Sequence, residues 1–436
     1  MISASESHAS HPVRVLLLES GTGPGGSVNF IRDFVLHVDH SKAHVIAGLY
    51  FPNPSKTLVE LRGLGYPVVF FHHTPAAVPK TFAGVSTLFD ASLKSLRKLR
   101  TVARILSRLI RVQVPLTWKV WRFIKREAID VVVLNQDVHF HIPGVVAARL
   151  SGRPCICRKA GGIGEARGLK RLLNPYVDLF VSISKATESD QRNTPGTRKL
   201  VNIYEGLDLQ RFESLPAGET MRESLGIGAR KKVVAAITRV AEGKGLPEFI
   251  RMAAAVLRTY AEVVFLIVGD ESPQGGALNR QLRDQVHSLD LDEHVIFTGW
   301  RDDIPAVMNC VDVFVHCPTT FTEGLARTCL ESMAAGIPAV VSENGGMPDA
   351  VLNGVTGFVV SPGDIQAMAG SVLRLLRNEP QRREFGARAR MRVEQVFDAV
   401  ENTRKLQEQI LQYAKPVKVL EVLGANVPSV VNDRSF

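Results

Sequence analysis

Two glutamates, an arginine and a lysine in the second half of the chain have types and spacing suited to an anionic leaving group. Glu323 and Glu331 lie eight positions apart in Glu323-Gly324-Leu325-Ala326-Arg327-Thr328-Cys329-Leu330-Glu331. A helix beginning near Gly324 turns through about 800° over eight residues, so both carboxylates lie on one side of it. One would reach a ligand at the helix mouth and the other a ligand along its flank. For two glutamates alone, an N-cap acid and a solvated one is the plainer reading. Arg239 and Lys244 stand in Ile237-Thr238-Arg239-Val240-Ala241-Glu242-Gly243-Lys244-Gly245. Two cations in a glycine-bearing loop at a helix start suit a diphosphate; the plainer reading of that loop is a pair of surface cations.

The first half offers Gly21-Thr22-Gly23-Pro24-Gly25-Gly26-Ser27, a G-x-G-x-x-G between a strand and a helix. A nicotinamide-binding fold needs an acid at the end of its second strand to take the ribose. Here that strand ends Gly48-Leu49-Tyr50-Phe51, with no acid. What the loop does predict is backbone N–H groups at a helix N-terminus facing an anion. Asp290-Leu291-Asp292 has the D-x-D form of a metal-holding triplet, but in Ser288-Leu289-Asp290-Leu291-Asp292-Glu293-His294 it reads as a turn. Cys155 and Cys157 have no second pair to complete a zinc site and read as core thiols.

These residues need elements to hold them. Short apolar runs alternate with helical stretches. In the first half the strands are Val13–Glu19, His44–Leu49, Pro67–Phe71, Val131–Leu134, Pro154–Arg158 and Leu179–Ser182, with a helix over 28–38. The second half restarts with Lys232–Ile237, then Val263–Val268, His294–Thr298, Val313–His316, Pro338–Ser342 and Gly357–Val359. Its helices include Leu246–Tyr260, Gly324–Ala335 and Ile365–Asn378. Such alternation predicts an α/β chain of two Rossmann-like doubly wound lobes facing a cleft, with ligands beyond the carboxyl ends of the strands. The expected division is a flexible tail over 1–12, a first lobe over 13–205 and a second over 206–390. A C-terminal helix over 391–415 would return to the first lobe, with a tail over 416–436.

Composition limits the alternatives. The 436 residues are 45% hydrophobic and 22% charged, with only five cysteines, which excludes disordered, collagenous and disulfide-scaffold chains. No apolar run approaches the ~20 residues of a membrane-spanning helix. The N-terminal residues lack the apolar core of a secretory signal, so the expected location is the cytoplasm. The net charge of +10 traces to one segment: Lys94 to Arg126 carries eleven Lys or Arg and no acid. Leu93, Leu96, Ala103, Leu106 and Ile110 can share one helix face, with Arg97, Arg100, Arg104, Arg108 and Arg111 beside them. Trp118, Trp121 and Phe123 follow. This pattern fits peripheral contact with an anionic membrane surface as well as it fits a solvated face packed on its own domain. No recognition module for nucleic acid accompanies it.

Taken together the motifs resemble the retaining family-4 glycosyltransferases of the GT-B fold, over about Val13 to Gln412. The resemblance rests on Thr238-Arg239 with Lys244-Gly245, Leu266-Ile267-Val268-Gly269-Asp270, Val295 to Trp300, and the Glu323–Glu331 segment running on to Pro338. Gly345-Gly346-Met347-Pro348-Asp349, Gly354-Val355-Thr356-Gly357-Phe358 and Pro362-Gly363-Asp364 complete it. The first lobe matches more loosely, through Gly25-Gly26 and Ser182-Ile183-Ser184.

The resemblance implies transfer of a sugar from a nucleoside-diphosphate sugar, UDP- or GDP-linked, to a saccharide or lipid-linked hydroxyl acceptor, without metal or other cofactor. By similarity Arg239 and Lys244 hold the diphosphate, Gly25 and Gly26 approach it from the other lobe, and Glu331 takes the ribose hydroxyls. Glu323 lies by the donor sugar, with the backbone of Gly324, Leu325 and Ala326 close to sugar and phosphate. Gly269, Asp270, Trp300 and Arg301 lie near the base. The family's His-x-His after the fourth strand is replaced by Asn135 and Asp137 in Val131-Val132-Val133-Leu134-Asn135-Gln136-Asp137-Val138-His139-Phe140-His141. Asp137 is favoured to face the sugar, then His139. The loop Arg158-Lys159-Ala160-Gly161-Gly162-Ile163-Gly164-Glu165 lacks the relatives' His, and its charge is expected to serve the acceptor. A GT-B sugar-nucleotide epimerase and a non-catalytic sugar-binding relative are the competing readings.

Overall fold

The computed structural model describes residues 11–21, 25–52, 55–72, 109–161, 163–164, 166–213, 218–271, 276–320 and 322–414. Residues 94–108 of the basic segment, most of the expected N-terminal tail and all of the 416–436 tail lie outside them.

The first lobe runs β1 (Val13–Glu19), α1 (Gly26–His37), β2 (Ala43–Leu49), α2 (Lys56–Gly63), β3 (Val68–Phe70), α3 (Val114–Arg126), β4 (Val131–Asn135), α4 (Ile142–Leu150), β5 (Cys155–Lys159), α5 (Arg167–Leu173), β6 (Leu179–Ser182), α6 (Lys185–Arg192) and β7 (Leu200–Asn202). The second lobe follows with α7 (Gly218–Ser224), β8 (Lys232–Ile237), α8 (Leu246–Leu257), β9 (Val263–Val268), α9 (Ala277–Ser288), β10 (Val295–Gly299), α10 (Ile304–Met308) and β11 (Val313–His316). It ends with α11 (Arg327–Ala334), β12 (Ala339–Ser342), α12 (Met347–Ala350), β13 (Gly357–Val360), α13 (Ile365–Arg377) and α14 (Glu379–Val396), and α15 (Ala399–Tyr413) is the last element of the described residues.

Seven strands form one sheet in the order β3-β2-β1-β4-β5-β6-β7, and six form the other in the order β10-β9-β8-β11-β12-β13. Among the described residues the neighbouring strands of both sheets pair in parallel, as in β1 with β4 (Val15 opposite Val131) and β8 with β11 (Val313 opposite Val234). Strands covered by helices on both faces read as near-continuous apolar runs. Val-Val-Val-Leu-Asn in β4 and Val-Val-Phe-Leu-Ile-Val in β9 are buried at every position. In each sheet the order reverses between two central strands, β1 and β4 or β8 and β11. That reversal opens a crevice at the carboxyl ends of the strands.

The chain crosses between lobes twice. The first crossing is near Gly206 and Leu207. The second is at Phe397–Ala399, where Leu207 N donates to Phe397 O at 2.7 Å and Ala399 N to Leu207 O at 3.1 Å. The division expected at 390/391 falls inside α14, whose Ala389 and Val393 are buried in the second-lobe core. Only after Phe397 does the chain leave that core. Leu406 and Ile410 of α15 then join the first-lobe core with Ile31, Phe34 and Val35 of α1. Gln407 caps the contact by hydrogen bonds at 2.9 Å to both backbone groups of Asp39.

Within the described end of the basic segment, α3 buries Leu116, Val120, Phe123 and Ile124. Trp121 packs against the first-lobe core, and Trp118 is left 53% exposed with the Arg122 guanidinium over its ring. Among the described residues no helix is long and apolar enough to cross a membrane.

Candidate functional site

The second-lobe crevice is lined by the loop after β8 and the segment after β11. Lys244 comes from the first and Glu323 from the second, and the Lys244 ammonium donates directly to Glu323 Oε1. The last residue of β11, His316, places Nε2 3.5 Å from the same oxygen. Burial pushes the Glu323 carboxyl up, but His316 and the charge of Lys244 outweigh it and hold the group at about 2. Glu323 is therefore an anion and is held in place by two neighbours. Arg239, exposed in the same loop, adds its field at Lys244.

The helix carrying Glu331 begins at Arg327, three residues later than the sequence suggests. Gly324–Ala326 stay outside the helix, with Ala326 extended (φ −77°, ψ 113°), because tertiary contact holds them. A Cβ on Gly324 would lie 2.1 Å from Ala160 O in the first lobe, and one on Gly346 2.7 Å from Ser184 Cβ, also in the first lobe. Only glycine lets the two lobes meet backbone to backbone here. Leu325 and Ala326 are buried beside this contact. From the first lobe, Gly25 (φ 156°) and Gly26 begin α1, and a Cβ on Gly26 would lie 3.9 Å from Arg327 Cβ. The starts of α1 and α11 thus face one another across the crevice.

Glu331 does not stand with Glu323. It is about one turn into α11, buried, with Arg327 Nε at 3.5 Å and Arg211 at 4.0 Å. Burial raises its carboxyl, against the pull of Arg327 and Arg211. The residues expected near the base lie at the outer end of the crevice. Gly269 N donates to Gly299 O at 2.9 Å, and Asp270 accepts from Asn279 Nδ2 at 2.6 Å. Trp300, 45% exposed, donates to Asp302 Oδ1 at 2.9 Å, and Arg301 forks onto Asp303. Lys56 of the first lobe reaches Asp302, so an ion pair spans the mouth.

At the first-lobe reversal, Asp137 and His139 are both buried. Asp137 Oδ2 accepts from Lys159 at 2.8 Å and pairs with Lys170 at 2.7 Å, and His139 Nδ1 lies 3.4 Å from Oδ1. Burial would raise the Asp137 carboxyl, but these charges hold it well below the usual carboxylate range. Asn135 is turned inward, donating to Ser27 O at 2.8 Å and to Glu19 Oε2 at 2.7 Å. The strained Gln136 (φ 145°) adds a second amide to Glu19 at 2.9 Å. Burial lifts the Glu19 carboxyl to about 7, against four hydrogen bonds from Ser20, Gly21 and Asn135. His141 lies behind the sheet, 3.3 Å from the Tyr50 hydroxyl. The charge of Arg158 and Lys159 does not face an acceptor. Both are buried: Arg158 binds Asn135 and Glu205 at 3.0 Å, and Lys159 binds Asp137 and Asp190.

The residue sequence reasoning passed over is Arg327. Its guanidinium is buried, binds Asp33 of α1, and stands 3.4 Å from Glu205 and 3.5 Å from Glu331. Asp33 also takes Arg32, and Glu205 takes Arg158. This network joins the start of α11 to the first lobe. Arg327 stands one turn before Glu331, but nothing in the local sequence separates it from a solvated charge. Asp290, in the left-handed region (φ 54°), and Asp292, hydrogen-bonded to His287, lie in the turn after α9. Among the described residues no cluster of three metal-ligating side chains occurs. Cys155 and Cys157 are buried free thiols.

Residues 218–392 match the family model for glycosyl transferases group 1. Over 284 residues the chain is 29% identical to the GDP-mannose-dependent alpha-(1-6)-phosphatidylinositol monomannoside mannosyltransferase of Mycolicibacterium smegmatis, a match covering 62% of this chain and 73% of that one. It is 25% identical over 276 residues to the UDP-Gal:alpha-D-GlcNAc-diphosphoundecaprenol alpha-1,3-galactosyltransferase of Escherichia coli, covering 58% and 68%. The solved structure of Anabaena Alr3699/HepE in complex with UDP and glucose superposes with a TM-score of 0.74 at 22% identity, covering 92% of this chain and 100% of that one. At that identity the likeness bears on the fold: two Rossmann-like lobes in the GT-B arrangement.

Proposed function

We propose that this chain, whose residues 218–392 match the family model for glycosyl transferases group 1 and whose fold is GT-B, moves a sugar from a nucleoside-diphosphate sugar to a hydroxyl of a phosphate-bearing acceptor, retaining the anomeric configuration. The observation that carries this reading is the Lys244–Glu323 pair in the second-lobe crevice, set against the facing starts of α1 and α11. Lys244, Arg239 and the two helix starts can take the charge that develops on a departing diphosphate, with no metal required. Glu323, released from Lys244 when the diphosphate arrives, is an ionised acceptor for donor-sugar hydroxyls. Asp137 and His139 are proposed on the opposite side of the sugar, and Glu331 at the ribose. The base would lie by Gly269, Asp270, Trp300 and Arg301.

In the proposed step the acceptor oxygen forms its bond to the anomeric carbon on the face the phosphate leaves. The carbon–phosphate oxygen bond breaks, and the acceptor proton passes to the leaving phosphate. No enzyme nucleophile is needed. The contact of Gly324 with Ala160 and of Gly346 with Ser184 would exclude water from this site. The two curated relatives act, by name, on a phosphatidylinositol mannoside and on a diphosphoundecaprenol-linked sugar. Lipid-phosphate acceptors and a role in glycolipid or cell-surface polysaccharide synthesis are proposed by that likeness. So is work at the cytoplasmic face of a membrane, with the basic segment at 94–126 on the anionic surface.

A thermal-shift panel of UDP- and GDP-sugars on the full chain tests the donor. One donor should raise the melting temperature by several degrees, and NMR of the product made from it should show the donor's own anomeric configuration. No shift with any nucleotide sugar, and no slow donor hydrolysis, would leave a binding or scaffold protein; an inverted product would overturn the step above.

A further inference from the structure

On the first lobe, between α5 and the end of α6, lies a cavity of about 360 Å³ walled by Arg167, Arg171, Asp190, Asn193 and Thr194. It falls in the size range of small-molecule sites, roughly 300–1,000 Å³. Arg167 and Arg171 stand one turn apart on the same face of α5, where like charges repel. Neither has an ion-pair partner among the described residues. The one carboxylate in the wall, Asp190, is already spent. It accepts from Lys159 Nζ and, at 3.0 Å, from Gly164 N. Behind it, Lys170 pairs with Asp137 at 2.7 Å and stands 3.9 Å from Asp190. Lys159 and Lys170 thus occupy Asp137 and Asp190 inside the lobe, which leaves Arg167 and Arg171 as the charge that faces the cavity.

The cavity is also wired to the proposed reaction centre. Asp190 shares Lys159 with Asp137, the residue placed beside the donor sugar. The same loop that touches Gly324 at Ala160 reaches the cavity at Arg167, seven residues on. Beyond Arg171, Leu172 and Tyr176 are 51% and 50% exposed.

We propose that this cavity seats the phosphate of the acceptor, with Arg167 and Arg171 binding its oxygens and the acceptor's sugar running toward Asp137. The proposal rests on the transferase reading and adds the place and the chemical class of the acceptor's anchor, a phosphomonoester or phosphodiester.

The test titrates inorganic phosphate, and separately glycerol phosphate, into the full chain saturated with UDP or GDP, so that the donor site is filled. Wild type should bind the phosphate. Binding should weaken tenfold or more in Arg167→Gln/Arg171→Gln and return substantially in Arg167→Lys/Arg171→Lys. It should stay as wild type in Arg383→Gln/Arg388→Gln on α14. Nucleotide affinity should change less than twofold throughout. Vesicles of phosphatidylglycerol, compared with glycerol phosphate at equal phosphate concentration, separate a lipid source from a soluble one. Equal phosphate binding by the double Gln variant and wild type, or none by nucleotide-saturated wild type, overturns the proposal. Should no nucleotide bind, the transferase reading fails by itself, and the same phosphate comparison made without nucleotide still decides the cavity.

Discussion

Replacing Arg327 by Met should be the most damaging single substitution at the lobe interface, and the structure says how. The change keeps the stem and deletes a buried cation that touches three carboxylates, Asp33, Glu205 and Glu331. Breaking a buried pair by removing one partner costs about 3–5 kcal/mol. Here Asp33 keeps Arg32 and Glu205 keeps Arg158, so those two remain compensated. Among the described residues Glu331 keeps Arg211 as its one ion-pair partner, 4.0 Å away. The loss should therefore sit near the low end, about 3 kcal/mol. It should also depend on pH. Burial already raises the Glu331 carboxyl, and without Arg327 it should rise further. A carboxyl raised in the native state binds more protons folded than unfolded, so stability falls as pH climbs from the unfolded value toward the folded one. The variant should be closest to wild type near pH 5 and furthest from it near pH 8. Urea unfolding of both proteins at the two pH values measures this, with Arg327→Met/Glu331→Gln as the control that should remove most of the pH dependence. A deficit under about 1 kcal/mol at pH 8, or one that does not change with pH, would refute a central role for the buried charge.

Lys244→Ala and Arg239→Ala should each weaken binding of the free nucleoside diphosphate by about 1.5–3 kcal/mol, read by calorimetry; unchanged affinity in both would remove them from the donor site. Glu323→Gln should cut turnover far more than diphosphate affinity, and wild-type turnover in this variant would dismiss Glu323 from the sugar. Its carboxyl, held at about 2 against 4.5, should contribute roughly 3 kcal/mol of stability above pH ~4.5 that fades as pH falls toward 2, so acid unfolding of Glu323→Gln should be shallower. Activity should survive exhaustive chelation; complete loss with EDTA restored by magnesium would contradict a charge balance met by protein cations. Pelleting with vesicles should rise with anionic lipid, fall with salt, and collapse when Arg100, Arg104, Arg108 and Arg111 become Glu; equal pelleting with neutral vesicles would end the membrane proposal.

Apolar runs made the two sheets readable. Strands β1, β6, β8, β9 and β11 end with the runs of Val, Ile, Leu and Phe or one residue past them, because a strand buried on both faces is built mainly of apolar residues. The three-residue β7 did not announce itself: it lies at a sheet edge and all of its residues are half-buried. The start of α11 was misplaced because Gly324–Ala326 are kept out of the helix by the other lobe, a contact between positions far apart in the chain. Lys244 and Glu323 were each legible because each sits in a short motif, but their pairing, across 79 positions, was not. Arg158 and Arg327 were not, since their acids Glu205 and Asp33 lie 47 and 294 positions away. Nothing in the local sequence separates such a charge from a solvated one. Glu19 was hidden in the same way, at the end of a strand read only for its apolar residues.

The late return of the chain to the first lobe has a consequence for recombination. The first lobe is not one stretch of gene, because Leu406, Ile410 and Gln407 belong to it although the whole second lobe precedes them in translation. A chimera that exchanges donor lobes between two such proteins at a single junction would graft a foreign C-terminal helix onto the host's α1. A cut-and-paste with two junctions, one near Gly206 and one at Phe397–Asp398, keeps each lobe with its own helix. The same geometry means that a nascent first lobe leaves the ribosome without Leu406 and Ile410 on α1, and completes that packing only after the second lobe has been made.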